Sequence, residues 1–472
     1  MQQPTPASLA ALLAVALGAG LVSCSSPPPQ PVAASPAPPA LERALQSVRA
    51  THAPDPHLAI FRVGATYRGS TLVLTGDVAT AAARTDALAA ARAAGFHARD
   101  DITVLPEPAL GEATWGLVCL SVATGRELPD NPAEMGTQEL MGHPLRVWKR
   151  AGNWYLVQTA DRYVAWMEEG SFQPCTAAEL NAWNQSPLLL VTAFEDQILE
   201  APHPEAQPVS DVVMGGLVKK TGETGDWLSV ELPDRRTGYL PKPAAEDYAA
   251  WKQSRQSTPE AVERTARSLL GRPYLWGANS PKAFDCSGFT KFVFFLNGVS
   301  LDRNASHQAR QGVEVPLDSR LARLNKGDLL FFGRRPHHGR PERVIHTGIY
   351  LGGHLFIHAS DRVRISSLDP ASPLRDEHRI RTLIHARRVL PAAAAPSHDL
   401  IIRNGQGPQA RIRAGTPACT PARSCGTLMP CSPRMPSTGT GRDPLDRSAR
   451  SASSKRASSS PVLLSPSSSC WW

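Results

Sequence analysis

Cys286 stands between Asp285 and the pair Ser287-Gly288, and the chain after it, CSGFTKFVFFLNG, is apolar at helical spacing. Phe289, Phe292, Val293 and Leu296 form one stripe and Gly298 stops it, which predicts a buried helix opening at Cys286. A thiolate is a nucleophile, and the free N–H groups and dipole of a helix N-terminus favour the anion. A sulfur so placed needs a base, and imidazole is the side chain that takes a proton near neutral pH. VIHTGIYLGGHLFIHAS reads as a β-hairpin carrying His346 on one strand and His358 on the other. A three-residue loop, Leu351 to Gly353, would set His346 directly opposite His358 on one face, whereas a two-residue turn would put them on opposite faces. In the first case His346 takes the thiol proton and His358 holds its other ring nitrogen. Asp285 works against the thiolate, since a neighbouring carboxylate raises a thiol pKa, so the helix end and His346 must outweigh it. Asp285 is equally an N-cap for its own helix, and Ser306 reads as another.

These groups belong to the last ordered unit, residues 258–392. It opens with TPEAVERTARSLLG, a helix with Thr258 as N-cap, proline in its first turn and glycine at its end. Ahead of it lies an internal repeat. Met141 and Met214, Gly152 and Gly225, Trp154 and Trp227, and Asp161 and Asp234 are each 73 residues apart. Each copy alternates apolar and polar residues around a Gly-Asn/Asp-Trp turn, the pattern of short strands in a small barrel, with both tryptophans expected in the core. AEDYAAWKQSRQ is a linker helix. Residues 41–108 read as a small α+β unit: a hairpin turning at RGS, the Ala-rich helix ATAAARTDALAAARAAGF, and a closing strand, ARDDITVLP, with no chemistry assigned to it.

The chain has 472 residues, so about three domains are expected at roughly 150 residues each. Its net charge of +8 is concentrated at the end, where ten Lys/Arg stand against three acids between 396 and 472. The rest is nearly neutral, so no basic surface for nucleic acid is implied. Beyond 396 the chain is rich in Ser, Pro and Arg without periodicity, which predicts a disordered tail or a frameshifted reading. Of eight cysteines, only Cys119, Cys175 and Cys286 fall in the body, and no CxxC pair suggests zinc. Neither a disulfide framework nor a metal or cofactor is implied. Residues 25–40, SSPPPQPVAASPAPPA, are an extended linker. Before it, Ser8–Val22 is apolar over the length of a signal peptide core, too short for a permanent span. It ends in Leu21-Val22-Ser23-Cys24, which resembles a bacterial lipobox, with Cys24 the residue lipidated; MQQPTP ahead of it has no Lys or Arg, and a buried helix is the alternative.

Four motifs in order, Tyr274-Leu275-Trp276-Gly277, Asp285-Cys286-Ser287-Gly288, His346-Thr347-Gly348-Ile349-Tyr350 and His358, resemble the signature of the NlpC-type cell-wall cysteine peptidases. The repeat resembles tandem bacterial SH3-like domains, over 110–172 and 187–243, and the order of modules resembles the γ-D-glutamyl-L-diamino acid endopeptidases. The resemblance implies a multi-domain α+β protein: a lipoprotein signal peptide (1–24), the small α+β unit, two SH3-like β-barrels and a papain-like catalytic domain. It implies a catalytic set of Cys286, His346 and His358. It further implies that Asp285 binds the free ammonium of an N-terminal L-Ala, with Tyr274, Ser287 and Ser306 lining that pocket. Asp302, Asn304 and His307 in LDRNASHQA depart from the branch's pattern. The first SH3-like domain should add an acidic and an aromatic contact, for which Glu134 and Tyr163 are the candidates; Trp276 is expected in the core. The implied partners are peptidoglycan stem peptides and, through the lipid, a membrane, with the protein a monomer exported to the cell envelope or the periplasmic face of the outer membrane. The alternatives are an inactive wall-binding module, or an amidase or acyltransferase on the same scaffold.

Overall fold

The computed structural model describes residues 37–391 except 338. The apolar Ser8–Val22 stretch, Cys24 and the tail from 396 lie outside the described residues, and with them the expectations of a signal peptide, lipidation and disorder. Among the described residues no helix is long and apolar enough to cross a membrane.

The N-terminal unit begins with the helix Pro39–His52. The strands Gly64–Arg68 and Thr71–Val78 pair antiparallel about a two-residue turn, in which Gly69 takes φ +63°. The Ala-rich helix Ala81–Ala93 starts at Thr80, whose hydroxyl accepts the Ala83 N–H at 3.2 Å. Its buried face is Ala83, Ala87 and Ala91, small enough to lie close against Leu41 and Leu45 of the first helix. The strand Ala98–Val104 joins parallel to Thr71–Val78.

The two repeats form seven-stranded sheets with one common strand order, as the matching registers in the sequence require. Gly152 and Gly225 occupy the hairpin turns with φ of +61° and +56°, a conformation glycine adopts without strain. The tryptophans that follow are only half-buried, contrary to expectation. Other residues fill the barrel interiors: Val118, Leu145, Val147, Val157 and Met167 with the rings of Tyr155 and Phe172 in the first, and Leu189, Val191, Val218, Val230 and Leu240 in the second. Trp154 and Trp227 open their strands directly after the turn, next to its exposed residues. The segment read as a linker helix, Tyr248–Ser254, is packed: Tyr248 and Trp251 are buried, and the Trp251 ring lies 5.8 Å from Phe295.

In the last unit the helix Pro259–Ser268 is capped by Thr258 as predicted. The helix Cys286–Leu296 buries Phe289, Phe292, Val293 and Phe294. Each ring so buried contributes about 1.5–3 kcal/mol. It packs on one face of a six-stranded antiparallel sheet through Phe331, Ile349 and Ile357. The opposite face carries Leu330, Phe332, Tyr350 and Phe356.

Candidate active site

Cys286 is the first residue of its helix and is buried. Asp285 is the N-cap: Oδ1 accepts the Gly288 N–H at 2.7 Å and Oδ2 the Gly277 N–H at 3.0 Å. The same carboxylate is forked by Arg303, whose Nη1 and Nη2 donate at 3.1 and 2.5 Å. Arg303 is 1% exposed and also donates to the Ser287 hydroxyl at 3.1 Å. Asp285 is therefore already neutralised by a buried guanidinium, and Ser287 is already hydrogen-bonded on both sides, to Asp285 and Arg303. Burial pushes the Cys286 thiol up to about 11, and Asp285 pushes the same way. The Thr347 N–H, Arg303 and the Ser287 N–H act against that rise.

The histidine hairpin reaches one face by a route the sequence did not indicate. Its turn is two residues, Gly353 and His354, both left-handed at φ +57° and +64°, not the three-residue loop expected. A bulge between Tyr350 and Gly352 adds one residue to that strand and flips the parity back. The register Ile349↔Ile357, continued, sets His358 opposite Gly348 and diagonal to His346. His346 Nε2 and His358 Nδ1 lie 2.8 Å apart, and His358 Nε2 lies 3.1 Å from the Ser366 hydroxyl. Gly348 makes the diagonal possible, since a Cβ there would stand 3.1 Å from the His358 Cβ and 3.0 Å from the Ile357 carbonyl. Burial, with the cations Arg379 and Arg364, holds His346 well below its ordinary value and brings His358 down to about 3. Both imidazoles are thus neutral at pH 7, as a general base must be before it acts.

The first SH3-like barrel closes the other side. Gln138 and Asn279 exchange three hydrogen bonds: the Gln138 N–H to Asn279 Oδ1 at 2.7 Å, and the Asn279 N–H and Nδ2 to Gln138 Oε1 and carbonyl, each at 3.1 Å. Gly277 approaches so closely that a Cβ would meet the Met135 carbonyl at 2.1 Å. Asp161, one of the repeated aspartates, forms a buried pair with Lys291 of the helix that Cys286 opens, at 3.0 Å. Its counterpart Asp234 pairs instead with the more exposed Arg236 of its own repeat.

Tyr274 is half-buried, and burial, Cys286 and Asp285 all raise its pKa. Ser306 lies half-buried within the one-turn helix Ala305–Gln308, so it is not the N-cap; Asn304 holds that position. Trp276 is not core: it is 60% exposed, and its indole N–H donates to Glu134 at 2.6 Å. Glu134 thus touches the catalytic unit through Trp276. Tyr163 is buried, and its hydroxyl donates to Glu127 at 2.8 Å, so Glu127 rather than Glu134 is the carboxylate beside that ring. Arg303, Glu127 and Ser366 were not singled out in the sequence. The arginine in LDRNAS, one residue from Asp302, was the one available signal for the first. Among the described residues no cluster of His, Cys, Asp and Glu could hold a metal.

The NlpC/P60 family profile matches residues 271–382, and the profile described as the bacterial dipeptidyl-peptidase Sh3 domain matches 126–172. The chain is 29% identical over 260 residues to a dipeptidyl-peptidase 6 of Lysinibacillus sphaericus, covering 52% of this chain and 89% of that protein. It is 28% identical over 269 residues to a γ-D-glutamyl-L-lysine dipeptidyl-peptidase of Bacillus cereus, covering 55% and 77%. A crystal structure of an NlpC/P60 family protein from Bacillus cereus aligns at a TM-score of 0.50 and 25% identity, over 59% of this chain and all of that one. The chain thus carries an NlpC/P60 domain, the domain of the NlpC/P60 cysteine peptidases, around Cys286, with a bacterial dipeptidyl-peptidase SH3 domain against it.

Proposed function

We propose that the chain hydrolyses the γ-D-glutamyl–diamino acid bond of peptidoglycan stem peptides whose L-Ala amine is free. The observation that carries this reading is the order Cys286 at a helix N-terminus, His346 hydrogen-bonded to His358, and an SH3-like wall against the loop 275–280. Cys286 attacks the γ-carbonyl, and His346 takes its proton and returns it to the leaving amine. His358, held by Ser366, orients His346. The tetrahedral oxyanion sits at the Cys286 N–H with the Tyr274 hydroxyl beside it. Water then resolves the thioester with His346 as base. With Asp285 paired to Arg303, Glu127, held by the Tyr163 hydroxyl, supplies the negative side of the pocket that the substrate ammonium enters. The chain is exported and held at the envelope through lipid on Cys24, which incorporation of labelled fatty acid, lost in Cys24→Ala, would test.

The decisive assay pairs L-Ala-γ-D-Glu-diaminopimelate with its N-acylated form. Cleavage of the first only, abolished in Cys286→Ala, supports the reading; equal cleavage of both refutes the free-amine pocket. No turnover of either points to a wall-binding role.

A further inference from the structure

The N-terminal α+β domain lies outside both matched family profiles, yet one of its loops touches both the first SH3-like barrel and the catalytic domain. The domain is anchored on the first SH3-like barrel: Ile60 and Leu105 pack with Leu156, Val164 and Trp166. The Val164 N–H donates to the His57 carbonyl at 2.7 Å, and the Gln158 amide to that of Leu58 at 3.0 Å. This brings Asp55-Pro56-His57 to the junction of three domains. The His57 ring stacks on Tyr163 with centroids 5.4 Å apart, and its Nε2 lies 3.8 Å from Glu127 Oε2. Its Nδ1 and backbone N–H face Asp55 Oδ1 at 3.2 and 3.0 Å. The other Asp55 oxygen is 2.5 Å from His307 Nε2, on the one-turn helix that carries Ser306.

These contacts close a circuit around the pocket. It runs from Asp285 to Gly277, across to Met135 and the Glu127–Tyr163 pair beside Gly136. It continues through His57 and Asp55 to His307, and Arg303 of the same segment returns it to Asp285. His307 is a residue at which the chain departs from the branch pattern, and it is 4% exposed with Nδ1 unpartnered. Such a residue needs a fixed partner, and Asp55 is it. His57 keeps 37% of its side chain exposed and Glu127 of the barrel 34%, so both remain open to solvent where the loop meets the barrel.

We propose that this loop is the end wall of the substrate pocket. His57 and Asp55 position Glu127 and the Ser306 helix against the free N-terminal end of the stem peptide. The proposal rests on the reading above. Asp55 and His57 are positioning residues, so their loss weakens binding of the free-amine peptide and leaves the chemical step intact.

The test measures kcat and KM for L-Ala-γ-D-Glu-diaminopimelate in wild type, Asp55→Asn, His57→Ala, His307→Gln and the Asp55→Asn/His307→Gln pair. Each single variant is expected to raise KM about tenfold, the loss of one charge-assisted hydrogen bond, with kcat within about twofold. The double variant is expected to be no worse than Asp55→Asn alone, because the contact that His307→Gln removes is already lost there. Retained kcat shows that the fold has survived. Unchanged KM, or penalties that multiply in the double variant, overturns the end wall alone. A wild type that cleaves neither this peptide nor its N-acylated form overturns the proposed function, and the end wall with it.

Discussion

Arg303→Met isolates the charge balance beside Cys286. Arg303 is buried and makes three hydrogen bonds, two to Asp285 and one to the Ser287 hydroxyl. A methionine fills the stem volume but leaves Asp285 a buried carboxylate with two backbone N–H donors and the Ser287 hydroxyl. Breaking one partner of such a buried pair costs about 3–5 kcal/mol, because the remaining charge is uncompensated. Replacing both partners is far cheaper, so Arg303→Met/Asp285→Asn should recover more than half of that loss. The same cycle reports on chemistry. Asp285 raises the Cys286 pKa and Arg303 lowers it, so the single variant should slow iodoacetamide alkylation of Cys286 and the double variant should restore it. Thermal midpoints and alkylation rates of the four proteins are the measurements. If the double variant melts no higher than Arg303→Met, the two side chains are not compensating each other, and the account of Asp285 is wrong.

Gly348→Ala places a Cβ 3.1 Å from that of His358 and must spread the rings. It should lower kcat by about tenfold to a hundredfold with little change in KM, and an unchanged kcat would show that the 2.8 Å ring contact is dispensable. With the Cys286 thiol near 11, the resting site is a neutral thiol and neutral imidazole, and the thiolate fraction at pH 7 is on the order of 10⁻⁴. Alkylation of the free enzyme should therefore climb about tenfold per pH unit from 7 to 10; a plateau reached below pH 8 contradicts this. Arg379→Gln removes a cation that depresses both histidines, so the acid limb of kcat/KM should move to higher pH, where a rising imidazole pKa leaves less free base. Lys291→Met leaves Asp161 buried and without its cation at the barrel seam, which should lower the thermal midpoint more than Arg236→Met beside the partly exposed Asp234.

The helix opening at Cys286, the histidine hairpin and the repeat were legible because each is written locally. A helical stripe after Cys286, alternating residues around Gly352-Gly353, and a constant 73-residue offset need no knowledge of packing. The hairpin shows the limit of that legibility. Turn length alone leads to the wrong parity, and a bulge that no residue type announces puts His346 and His358 on one face. Trp154, Trp227 and Trp276 show it again, since a large apolar ring is expected inside unless the surrounding surface is known. The pairing of Asp285 with Arg303, of Tyr163 with Glu127, and of His307 with Asp55 joins residues 18, 36 and 252 positions apart. Side-chain chemistry names the groups able to react, because reactivity belongs to the residue. Which charges they face, and how far their pKa values move, depends on burial and on neighbours from other domains, and these exist only once the chain has closed on itself.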